Sequence, residues 1–149
     1  MRVAIAAVAA AWVLQASGTV RADPLLTYPL NINGHTIRVE IANSEQARRT
    51  GLMFRNTLPE NAGMLFVYRT EGRYAMWLKN TLIPLSVAFI DRNGRIINIE
   101  DMRPQTEDAH AALGSAAFAL EANQGWFAKH GIRPGDRVRG LERVPRSED

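Results

Sequence analysis

Apolar and polar residues alternate along this chain in short runs, and turn-forming residues separate the runs. Ile37, Val39 and Ile41 interleave with Arg38 and Glu40, the pattern of a strand with one buried face. Tyr28–Ile32 precedes them across Asn33-Gly34, and both turn residues tolerate positive φ, so the two runs predict a hairpin. Met64–Tyr68 and Leu85–Ile90 are apolar at successive positions, which predicts central strands covered on both faces. In Arg73–Lys79, Tyr74, Met76 and Leu78 fall on one face and Ala75, Trp77 and Lys79 on the other. That run ends in a polar tip of Lys79, Asn80 and Thr81 and stops at Pro84, which lacks a backbone donor. Arg95–Glu100 opposes Ile97 and Ile99 to Asn98 and Glu100, and pairs with Leu85–Ile90 across the turn Asp91-Arg92-Asn93-Gly94. Ala116–Ala122 and Arg137–Leu141 complete the strands.

Two stretches break the period of two. Asn43 or Ser44 caps a helix running to about Met53, with Glu45 in its first turn and Arg48-Arg49 later, as the helix dipole favours. Gln124–His130 reads as one helical turn ended by Gly131. Met102–Ser115 has no pattern and reads as a surface loop. About eight short strands with two short helices predict a mainly β single domain, either a β-sandwich or a partly closed barrel.

The first residues stand apart from that domain. Met1–Arg2 is a short positive start, Val3–Leu14 is an uncharged apolar run, and Val20-Arg21-Ala22 places small residues at a cleavage site. This is the pattern of a secretory signal peptide over residues 1–22, shorter than a membrane span of ~20 apolar residues. The expected mature domain is 23–149, with a core at about 31–141 and a polar C-terminal tail that frays. It would be periplasmic or secreted, with no stable membrane span after cleavage.

Export changes the charge reading. Arg2 and Arg21 leave, so 16 of the 18 basic residues remain against 15 acidic ones. A near-neutral exported domain gives no reason to expect nucleic acid as a partner. The chain has no cysteine, so no disulfide supports it in an oxidising compartment.

The usual enzyme signatures are absent from the sequence. There is no Gly-x-Ser-x-Gly elbow, phosphate-binding glycine loop, His-Glu-x-x-His or cysteine nucleophile. His35, His110 and His130 are scattered and sit by turns. Asp108-Ala109-His110 offers only two adjacent donors, and Asp91–Gly94 departs from a calcium loop. No metal and no cofactor is therefore expected.

Three segments carry a family resemblance: Glu45–Arg55 (EQARRTGLMFR), Gly63–Phe66 (GMLF) and Met76–Leu85 (MWLKNTLIPL), with Phe89–Gly94 (FIDRNG) behind them. Leu120-Glu121 with Gly125-Trp126, and Gly131-Ile132 with Gly135-Asp136, fit the same pattern further on. The chain resembles domain of unknown function 192, a family of small, often exported proteins, over roughly Asn31–Leu141. The resemblance implies one mainly β domain, no established activity and no catalytic residues to carry over. Ser86 stands where the family usually has Asp after the Pro-Leu pair. The segment after Pro104 lacks the cysteines that some members carry.

Beside the resemblance, the residues themselves suggest a site. Trp77 and Lys79 share a strand face, and Asn80 and Thr81 follow at its end. Arg55 follows the first helix. An aromatic plane beside a cation and an amide suits a sugar ring or a small anion. The competing reading makes Trp77 core, Arg55 a structural clamp and Asn80-Thr81 turn residues. Arg55, Trp77, Lys79, Asn80 and Thr81 are thus the candidate ligand-binding residues of a non-catalytic binding or accessory domain, for a small polar ligand or an envelope protein. The alternative is an enzyme acting on cell-envelope carbohydrate, with Lys79 or a carboxylate near Asp101 as its acid–base group.

Overall fold

The computed structural model describes residues 26–149, so the expected signal peptide lies outside the described residues. Strand β1 (Tyr28–Ile32) turns into β2 (His35–Ala42) through Asn33 at φ 51° and Gly34 at φ 87°. Helix α1 (Glu45–Thr50) then crosses over to β3 (Ala62–Gly72), which lies parallel to β2. After β4 (Ala75–Met76) come β5 (Leu85–Ile90) and β6 (Ile96–Met102), an antiparallel pair. The two-residue β7 (His110–Ala111) is followed by β8 (Ala116–Asn123), helix α2 (Trp126–Lys129), β9 (Val138–Arg139) and a 3₁₀ turn at Leu141–Arg143.

Seven strands form one sheet in the order β6-β5-β8-β3-β2-β1-β9, and β4 pairs only with β7. The sheet curls into a half-barrel, so the fold is mainly β in the partly closed form. Each central strand feeds two cores. Leu65 and Val67 of β3, Ala88 and Ile90 of β5, and Leu120 and Ala122 of β8 face one apolar cluster, which α2 closes with Trp126 and Phe127. Met64, Phe66, Val87, Phe89 and Ala119, at the alternate positions, face a second cluster with Leu52, Leu78 and Ile83.

Two local outcomes differ from the sequence expectation. Helix α1 stops at Thr50, because Gly51 takes φ 48° and its N–H caps Ala47 O. The run Arg73–Lys79 keeps its alternation, with Tyr74, Met76 and Leu78 turned inward, but only Ala75 and Met76 have a strand partner. The C-terminal tail is tied down: Asn43 O accepts the Glu148 N–H at 2.9 Å, and Arg48 pairs with Asp149 at 2.5 Å. No helix among the described residues is long and apolar enough to cross a membrane.

Candidate functional site

The second cluster is roofed by α1, the loop after it and the Ala75–Ile83 segment. Between these coverings lies a cleft of about 330 Å³, lined by Arg48, Arg49, Met53, Trp77, Thr81 and Glu121 among others. Glu121 is its floor. On β8 it sits opposite Met64 of β3 and Val87 of β5, so its side chain enters the apolar face. It is 3% exposed. Its carboxyl has no hydrogen-bond partner among the described residues, and burial alone pushes its pKa up to about 8. The Tyr68 hydroxyl is pushed above its ordinary range, first by burial and then by Glu121 and Tyr74.

The cations beside Glu121 are already committed. Arg48 donates to Val67 O at 3.0 Å, pairs with Asp149 and stands 6.0 Å from the Tyr68 ring centroid. Arg49 pairs with Glu45 on the helix surface. Glu121 is therefore a lining carboxyl that no described cation pairs, and its oxygens are left to the cleft.

Of the residues singled out in the sequence, Trp77 and Thr81 line this cleft. Trp77 is 50% exposed rather than core, with Lys79 Nζ 5.7 Å from its ring centroid. Lys79 is also paired with Glu107 at 2.9 Å. Asn80 takes φ 54° and accepts the Phe54 N–H at 2.9 Å, which joins the post-helix loop to the Trp77 segment. Thr81 is buried; its hydroxyl donates to Lys79 O and its own carbonyl accepts the Gln105 N–H. Arg55 does not reach the patch. Its guanidinium forks onto both Glu40 oxygens at 2.6 Å, and that contact is the main cause of its raised pKa. Lys79, Asn80 and Arg55 thus brace the rim rather than line the cleft.

Sequence reasoning missed Glu121 as a site residue. The available signal was a lone carboxylate at a core-facing position of an otherwise apolar strand. Phe54, next to the lining Met53, is 70% exposed and held at φ 64°, a conformation that is costly for a bulky side chain. Asp101 and Ser86 lie on the opposite sheet face, where the Ser86 hydroxyl donates to Asp101 at 2.5 Å and accepts the Gly125 N–H at 2.9 Å. The histidines are not all scattered, since the rings of His35 and His130 approach to 4.4 Å. The described residues hold no cluster of three His, Cys, Asp or Glu fit for a metal ion.

Comparison with known proteins agrees with the geometry of the fold. A crystal structure from Sinorhizobium meliloti 1021, provisionally described as a transcription regulator, superposes with a TM-score of 0.75 at 33% identity, over 78% of this chain and 95% of that one. A protein of unknown function from Novosphingobium aromaticivorans DSM 12444 superposes with a TM-score of 0.73 at 34% identity, over 76% and 84% of the two chains. No curated protein matches the chain. The profile of the family described as uncharacterized ACR, domain of unknown function 192, matches residues 28–140, and the chain belongs to that family.

Proposed function

We propose that this protein is an exported, non-catalytic binding domain whose cleft takes a small neutral ligand bearing hydroxyl groups, such as a sugar ring. The observation that carries the reading is Glu121, a residue 3% exposed whose carboxyl has no hydrogen-bond partner among the described residues and opens into a cleft beside an exposed tryptophan. A carboxyl held in an apolar cleft needs a hydrogen-bonding partner from the cleft side, and a ligand hydroxyl can take that place from water. Near neutral pH the carboxyl holds its proton, so it both donates and accepts. Trp77 offers a plane for the apolar face of a ring.

A protonated carboxyl is also a general acid. Glycoside hydrolysis in its usual form needs a second carboxylate about 5–9 Å away. Glu121 is the only carboxylate among the described residues lining the cleft, so binding is the better reading. The N-terminal apolar run with its small-residue cleavage pattern supports export to the periplasm or beyond.

The test is a thermal-shift series with neutral sugars, amino acids and small anions on the parent and on Trp77→Ala. A ligand at a hundred times its Kd adds ~2.7 kcal/mol, which raises Tm by about 5–10 °C in a domain of this size. The expected result is a shift with a neutral polyol that Trp77→Ala removes, while the unliganded variant melts within about 2 °C of the parent. A parent that no neutral compound shifts, or a shift that survives Trp77→Ala, overturns the reading.

A further inference from the structure

A second cleft, of about 640 Å³, opens at the other end of the sheet between β9, the Asp91–Gly94 turn and the 3₁₀ turn. The Val138 N–H donates to Gly94 O at 2.8 Å, and Arg95 bridges to Arg137, so the walls are joined through backbone. They are also closely packed. A Cβ on Gly94 would lie 2.8 Å from Val138 O, and one on Gly140 2.9 Å from Pro29 O.

Four arginines line this cleft: Arg92, Arg137, Arg139 and Arg143. Arg92 is held by Glu71 at 2.9 Å and Arg143 by Glu142 at 3.4 Å. Glu142 is the lone carboxylate among the described lining residues, and it is engaged in that pair. The nearby Asp91 carboxylate already accepts the N–H groups of Asn93 and Arg95. Arg137 and Arg139 are exposed and make no ion pair among the described residues. They flank the buried Val138, so both leave β9 on the side away from the core. Elsewhere Arg48, Arg49, Arg55, Arg103, Lys79 and Lys129 each meet a carboxylate. Arg137 and Arg139 thus bring two guanidinium groups without an ion pair to one wall of the cleft, beside two that are paired.

We propose that this cleft is a second binding site, for a ligand bearing phosphoryl groups, gripped by the guanidinium forks of Arg137 and Arg139. Guanidinium matches phosphate oxygens in bidentate geometry and keeps its charge at every accessible pH. Two forks about 7 Å apart along the strand suit two linked phosphoryl groups better than one. Phe118 and Leu141 beside them offer an apolar surface for the organic remainder. The phosphoryl groups come either from a soluble or polymeric phosphate or from a lipid headgroup.

The test titrates the purified protein with tripolyphosphate in a calorimeter at two salt concentrations. Arg137→Gln with Arg139→Gln is compared with Arg73→Gln with Arg133→Gln, which removes two arginines from outside this cleft. The first pair should weaken binding by about tenfold or more and flatten its salt dependence, with Tm unchanged. The second pair should change Kd by less than about twofold. Vesicles of phosphatidylglycerol, set against phosphatidylcholine, form a second arm. Capture by the former that the first pair abolishes points to a lipid headgroup; indifference to vesicles with tripolyphosphate bound points to a soluble or polymeric phosphate. A parent that binds neither probe, or equal weakening in both double variants, overturns the proposal. If the first pair lowers Tm, Arg137→Lys with Arg139→Lys replaces it: affinity should fall through loss of the fork while the charge stays, and unchanged affinity counts against the forks.

Discussion

Gly63 shows how one residue without a side chain holds Glu121 in place. It lies on β3 between Val39 of β2 and Ala122 of β8, and a Cβ there would sit 2.3 Å from the Glu121 carbonyl oxygen. No real Cβ tolerates that approach, and the obstacle is backbone, which cannot rotate away. Gly63→Ala should therefore push β3 off β8 where the buried carboxyl is carried, at a cost of about 3 kcal/mol. Gly131 is the useful contrast. It has open space around its missing Cβ but φ 65°, so Gly131→Ala should cost only about 1–2 kcal/mol of backbone strain. Urea unfolding of the two variants separates a steric from a conformational requirement; equal losses would show that β3 and β8 can part at little cost.

At the scale of elements, the cleft depends on a loop that has no regular structure of its own. Residues 51–55 are held by the Phe54–Asn80 backbone bond at one point and by the Arg55–Glu40 fork at another. Both partners of that fork are partly buried, which favours a real contribution over the near-zero value of fully exposed pairs. Arg55→Lys keeps the charge and loses the bidentate geometry. It should cost about 1 kcal/mol and speed hydrogen exchange at the Phe54 amide, with β5 and β8 unaffected. These contacts also mark where the sequence stops being readable. The β1–β2 hairpin was legible because Asn33-Gly34 decides it locally. The faces of residues 73–79 were legible because alternation survives without a ladder, although the ladder itself was not, since it needs His110 and Ala111 from a distant loop. Arg55 was foreseen as a possible clamp, but its partner Glu40 lies across α1 and no spacing rule points there. Glu121 was visible as a charge at an inward position. Its isolation was not, because that depends on what Arg48 and Arg49 find to bind elsewhere.

For the whole molecule, a half-barrel without disulfides rests on two apolar cores that meet across β3, β5 and β8, and Glu121 is an ionisable group placed inside one of them. Its proton is held up to about pH 8 in the folded state but lost near the ordinary value of 4.5 when the chain unfolds. Between those values the folded protein binds one more proton than the unfolded chain, so unfolding free energy falls as pH rises, by about 1.4 kcal/mol per unit. Below pH 4.5 both states hold the proton and this contribution is complete. There the lowered pKa values of Glu60, Glu142 and Asp149 act in the opposite sense, removing stability as acid protonates them. Stability should therefore peak near pH 5 and decline towards pH 8. Glu121→Gln keeps a neutral polar group of the same shape and cannot titrate, so its profile should stay flat from about pH 5 to 8 and cross above the parent in mild base. Chemical unfolding of both proteins at several pH values decides the matter. A parent profile as flat as that of Glu121→Gln would mean that the carboxylate is hydrated through the cleft when charged, and the ligand hydroxyl would then meet an anion there instead of a proton donor.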